Sequence, residues 1–209
     1  MNKKKWLIAG VLVFIVFFSI TFIKNWSVAV SGNLVEKYAP VIKRLKNDPK
    51  SARIQCPEMI TKLEKSLPEL ALSKDKLQKP RAQKLIADCA FAIGDYEKAI
   101  VYLKALYTLD PNNAQWYWKI ADAYTRAGKF GDSLNYARLS TQLDPQNFKY
   151  NLLHARILAK LGLKNRAVTA YAQTIKVAPF DKIEPTKKEL ARFLDRIEAK
   201  NDEDQKQDE

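Results

Sequence analysis

Along the chain, hydrophobic and polar positions fall into three regimes. The first is an unbroken apolar run, Trp6 to Ile23, 18 residues without a charge. At ~1.5 Å per residue it predicts a helix of about 27 Å, near the thickness of a bilayer's hydrocarbon core. Trp6 and Trp26 stand at its two ends, where indoles favour a membrane interface, and Lys3, Lys4, Lys5 and Lys24 flank it. The run exceeds a usual signal-peptide core, which favours an uncleaved anchor over a cleaved leader ending near Ala29-Val30-Ser31. The second regime, 24–79, has Leu34, Val35, Tyr38, Val41, Ile42 and Leu45 at helical spacing, interrupted by Pro40. A second helix is expected from Pro57 to Leu67, then a loop over Leu70–Lys79. These helices fall outside the ~34-residue period that begins at residue 80, although Gly32 and Asp48-Pro49 occur among them, and read as a degenerate repeat or an N-terminal cap.

The third regime repeats with a period of ~34 residues, in blocks 80–113, 114–147 and 148–181. Each block has a small residue in its first helix (Ala87, Ala121, Ala155), then a Gly (Gly94, Gly128, Gly162), then a second small residue (Ala99, Ser133, Ala167). Each closes on a proline: Pro111, Pro145, Pro179. Small side chains let two antiparallel helices approach. Gly ends the first helix in a left-handed turn without steric cost, and Asp-Pro stops the second. Ile86, Tyr96, Leu103, Leu109, Ile120, Tyr124, Phe130 and Leu143 are the expected large apolar fillers. One such hairpin cannot bury its own apolar face, so consecutive hairpins stack. The fold class is an all-α helix-turn-helix repeat solenoid with an N-terminal transmembrane helix.

After the repeats, 182–200 carries Leu190, Phe193, Leu194 and Ile197 on one stripe, with Glu189, Arg192 and Arg196 on the polar face, as a solenoid-capping helix would. The tail 201–209, with five acids and one lysine, is expected to be disordered. The resulting order is a short cytoplasmic tail (1–5), an anchor (6–23), a juxtamembrane helical segment (24–79), three repeats (80–181), a cap and an acidic tail.

The spacing and the Gly, aromatic, Ala, Asp-Pro-Asn-Asn series at 94–113 resemble the tetratricopeptide repeat family. The third block departs at His154, Lys164 and Ala178, where that family favours Leu, an aromatic residue and Asp. The resemblance implies that the first helices line a concave, partner-binding groove. On these positions its candidates are Lys84, Asp88 and Phe91; Gln115, Trp118, Asp122 and Arg126; and Lys149, Leu152, Arg156 and Lys160. Trp118 would be a rigid anchor, and Arg126, Arg156 and Lys160 donors to carboxylates. Asp88 following Lys84 disfavours the chaperone-tail carboxylate clamp, which expects Asn with Lys. Packing against a neighbouring helix is the plainer role for Trp118 and Leu152.

Charge and chemistry narrow the function. The formal net charge is +13, spread along the chain apart from the acidic tail. That argues against nucleic acid as a partner, which would want the basic residues gathered on one face. A single His and two Cys leave no zinc site. No nucleophile–base pair, phosphate loop or metal spacing is present, so neither an enzyme nor a cofactor or small-molecule substrate is expected. Cys56 and Cys89 are a candidate disulfide if the domain lies outside the cytoplasm, and otherwise two small buried apolar residues. The density of lysines before the apolar run orients the N-terminus to the cytoplasm. The expected role is a single-pass bacterial inner-membrane protein with a periplasmic repeat domain that binds partner proteins and aids assembly of an envelope complex. Two other roles remain open: a cytosol-facing receptor for client proteins, and a structural subunit of a large membrane complex.

Overall fold

In the computed structural model the backbone is described for residues 3–207 and the side chains for 19–199. The described residues form nine helices and no strand, and divide into two compact units, 1–95 and 96–209.

The first unit holds α1 (Lys3–Leu45), α2 (Pro49–Ala71) and α3 (Gln78–Ile93). Pro40 does not end α1; it lies exposed, where the carbonyl deprived of an N–H partner can bond to water instead. Val35, Tyr38, Ile42 and Leu45 form the buried stripe, while Leu34 and Val41 are only half-buried. α2 starts well before the expected Pro57. Asp48 caps it, accepting from the Ser51 amide at 3.1 Å, and Pro49 occupies its first turn, where a missing N–H costs nothing. Ala52, Cys56, Met59, Ile60 and Leu63 face inward from α2, and Ala82, Ile86, Cys89 and Ala90 from α3. The three helices pack pairwise. Cys56 and Cys89 are joined by a disulfide whose Cα atoms lie 5.4 Å apart, tying α2 to α3.

The apolar run 6–23 falls on the first half of α1. Its side chains up to residue 18, Trp6 among them, lie outside the described residues. Among the described residues no helix is long and apolar enough to cross a membrane. Trp26, at the other end of the run, is exposed and stacks on Phe22 with ring centroids 6.2 Å apart.

The second unit consists of α4 (Tyr96–Tyr107), α5 (Ala114–Arg126), α6 (Phe130–Leu143), α7 (Phe148–Lys160), α8 (Lys164–Lys176) and α9 (Phe180–Gln207). Each packs against the next along the chain. The small residues do what their spacing requires: Ala121, Ser133, Ala155 and Ala167 are all fully buried. Ser133 adds a bond across the α5–α6 contact, its Oγ donating to the Ala121 carbonyl at 2.7 Å. The glycines close three identical caps. Gly94, Gly128 and Gly162 have φ of 86°, 76° and 70°. The next amide in each case reaches back to the helix it has left: Asp95 to Ala90, Lys129 to Tyr124 and Leu163 to Leu158, at 2.9, 2.9 and 3.0 Å.

The Asp-Pro turns do more than stop a helix. Asn113 and Asn147 accept from the amides of Gln115 and Lys149, capping α5 and α7. Their side-chain amides donate back to Asp110 and Asp144 at 2.9 and 3.0 Å. Because α4 already ends at Tyr107, Leu109 leaves the helical stripe and is exposed; Leu143, the last residue of α6, is also exposed. Both were expected in the core. α9 packs as the last layer, with Phe193 buried against Leu158 and Ala167. The expected acidic tail, from 201 onward, has its side chains outside the described residues.

Candidate functional site

The eleven groove candidates fall in both units. In the first, Lys84 and Asp88 lie one turn apart on α3, and the Asp88 carboxylate, 8% exposed, also takes Lys46 from the end of α1. The two Nζ atoms stand 2.8 and 2.9 Å from Oδ2, so this acid is neutralised inside its own unit. Phe91 is half-buried on the last turn of α3.

In the second unit, α5, α7 and α9 together wall a cleft of about 720 Å³. Four of the candidates line it: Asp122 and Arg126 from α5, Arg156 and Lys160 from α7. Asp122 and Arg126 pair one turn apart at 3.3 Å, and burial holds the Asp122 carboxyl above its usual range despite that arginine. The candidates nearer the helix starts stand elsewhere. Gln115 and Lys149 are exposed on the first turns of α5 and α7, and Leu152 is half-buried. Trp118 is also half-buried, tilted against Tyr150 with centroids 5.9 Å apart, so part of its indole is committed to the α5–α7 contact.

The rest of the lining was not anticipated. Phe130, Leu153, Phe193 and Ile197 supply apolar surface, and Tyr171, Glu189 and Arg196 supply polar groups. Glu189 organises one end. Arg156 donates to it through Nε and a terminal nitrogen, both at 2.7 Å, and the Tyr171 hydroxyl donates at 2.8 Å. Burial opposes ionisation of Glu189, yet these donors outweigh it and keep its pKa below the usual value. Burial, followed by the Glu189 bond, raises the Tyr171 pKa, so the phenol stays protonated as the donor. Arg156, expected to offer its donors outward, therefore spends them on α9. A signal for this was present in the sequence: one repeat length beyond Ala155 lies Glu189. At that position the repeats carry a small side chain, and α9 carries a carboxylate instead.

A second cavity of about 580 Å³ lies between the ends of α6, α7 and α8, and His154 lines it with Asn165, Arg166 and Gln173. Its Nε2 is buried without a partner. Burial, with Arg166 and Arg138 nearby, depresses the imidazole to about 4, so it is neutral at pH 7. Among the described residues no group of His, Cys, Asp and Glu side chains could hold a metal ion.

Comparison with known proteins bears on this arrangement. Residues 90–157 match the tetratricopeptide repeat family. Serine/threonine-protein phosphatase 5 of Homo sapiens and of Rattus norvegicus is 31% identical over 106 residues, 51% of this chain and 21% of the relative. The chain thus spans about a fifth of the length of the curated relatives it matches. Among solved structures, the first repeat domain of Spaghetti bound to an HSP90 peptide superposes with a TM-score of 0.52 at 22% identity, over 57% of this chain and 94% of that one. The Sgt2 repeat domain of Aspergillus fumigatus gives 0.51 at 22% identity, over 59% and 82%. MamA of Desulfovibrio magneticus gives 0.52 at 15% identity, over 72% and 94%. At these identities the likeness concerns the fold. The central segment of this all-helical chain thus combines the sequence pattern of the tetratricopeptide repeat family with the solenoid fold of its structural neighbours.

Proposed function

We propose that this chain is a membrane-anchored repeat scaffold that holds a segment of a partner protein in the α5–α7–α9 cleft and aids assembly of a bacterial envelope complex. The observation that carries the reading is the cleft: apolar walls from Leu153, Phe130 and Phe193, rimmed by Arg126, Lys160 and Arg196. Apolar surface supplies affinity and charged groups supply register, the usual division of labour in a peptide groove. The Spaghetti domain, similar in fold, is bound to a peptide of HSP90.

Two further features support the anchor and its orientation. Ile20, Phe22 and Ile23, the described end of the apolar run, are 47%, 60% and 64% exposed, an uncovered apolar surface that a bilayer would bury. The Cys56–Cys89 disulfide suits an oxidising compartment, which on this reading is the periplasm, with the N-terminus in the cytoplasm.

The test has two parts. Protease added outside spheroplasts should cleave a C-terminally tagged protein, and a non-reducing gel should show a mobility shift abolished by reductant. Protection from protease without a shift would favour the cytosol-facing client receptor. A photo-crosslinking residue in place of Leu153 should capture a partner, and Phe130→Ala with Lys160→Ala should weaken its co-purification at unchanged helix content. Undiminished co-purification would remove the cleft from the reading.

A further inference from the structure

We infer that the cleft accepts the acidic segment 201–209 of a second copy of this chain, giving a head-to-tail self-association. The inference rests on the reading of the cleft as a binding groove and adds its occupant.

Charge is the first argument. The cleft brings four cations, Arg126, Arg156, Lys160 and Arg196, against two carboxylates, Asp122 and Glu189. The carboxylates are taken by Arg126 and Arg156 through their ion pairs. The positive excess therefore rests on Lys160 and Arg196, both exposed at the surface of the cleft. In a chain of net charge +13, residues 201–209 carry five acids against Lys206, the strongest acid-rich run in the sequence. Opposite potentials of this kind steer association and set register more than they add affinity.

Geometry is the second. Arg196 and Ile197 line the cleft from α9, and α9 continues as one helix to Gln207. At ~1.5 Å per residue, Gln207, at the end of α9, lies about 15 Å further along the helix axis than Ile197. The α9 backbone thus leads away from the cleft toward its C-terminal end. Reaching a cleft then requires another copy. Such a contact is heterologous, pairing the tail of one copy with the cleft of the next, so it builds rings or open chains rather than a two-fold dimer.

The experiment is sedimentation velocity of the full chain in detergent, at about 50 mM and about 500 mM salt, a range over which screening shortens several-fold. Self-association should appear at low salt and weaken at high salt. Reversing the cleft (Lys160→Glu with Arg196→Glu) or the tail (Asp202→Lys, Glu203→Lys, Asp204→Lys) should each weaken it at least about tenfold. Combining the two reversals should restore it. A chain that is monomeric at both salts, or association indifferent to the tail reversal, would overturn the inference. A fluorescein-labelled peptide of residues 201–209 separates this from the underlying reading. If the peptide fails to bind while the Leu153 crosslink still captures another protein, the groove stands and its self-occupancy falls. If both fail, the groove reading falls with it.

Discussion

Arg156 of α7 and Glu189 of α9 meet in a two-pronged ion pair, Nε to Oε1 at 2.7 Å and a terminal nitrogen to Oε2 at 2.7 Å. Tyr171 of α8 shares the same carboxylate, so one acid joins three helices. Apolar packing of Phe193 against Leu158 and Ala167 holds α9 in place, and the ion pair sets its rotation. Both partners are partly exposed, which limits the pair's worth to about 1 kcal/mol. A double-mutant cycle of Arg156→Ala and Glu189→Gln, followed by urea unfolding, should return a coupling of about that size. No coupling would mean that packing alone orients α9.

The turn between α5 and α6 separates backbone demand from side-chain demand. Gly128 has a φ of 76° and open space where a Cβ would stand, so Gly128→Ala should cost about 1 kcal/mol through the backbone alone. Gly131 also has open space but no positive φ, and lies inside α6. Gly131→Ala should therefore raise stability by a few tenths to about 1 kcal/mol. The two variants should shift the thermal midpoint in opposite directions.

The disulfide should matter locally. Replacing both Cys56 and Cys89 by Ala opens a closure of 33 residues and should cost about 3 kcal/mol. Hydrogen exchange should rise across α2 and α3 while α5 to α8 keep their protection. Equal loosening throughout would show that the two units unfold together.

His154 gives the chain a pH dependence of definite sign. The folded imidazole sits at about 4 against an ordinary 6.5. Between those values the unfolded chain binds a proton that the folded chain refuses, so stability falls as pH drops below about 6.5. Glu189, also depressed, begins to lose its contribution only below the ordinary 4.5. In the interval from 6.5 to 4.5 the histidine thus lowers stability as pH falls, whereas Asp122, raised by burial, acts with the opposite sign above its ordinary 3.8. His154→Leu should flatten urea-unfolding free energy there and leave the acid limb below it. A slope unchanged in the variant would assign the effect to another group.

Features governed by local rules were legible in the letters of the chain. The period, the buried small residues at 121, 133, 155 and 167, and the left-handed glycines follow from contacts within one hairpin, whose spacing the sequence displays. The Asp48-Pro49 start of α2 is equally local, but the expected helix began only at Pro57. Packing between helices settled the rest. Leu109 and Leu143 fit an apolar stripe, yet helix ends and turns left them in solvent. Arg156 looked outward by position, but a carboxylate 33 residues away claimed it. The cleft likewise gained six of its fourteen lining residues from α6, α8 and α9, which a reading confined to first helices of the repeats passes over. The difference is one of range: a helix or turn is specified by residues within a few positions of each other, whereas a groove is made by side chains that only the stacking of helices brings together.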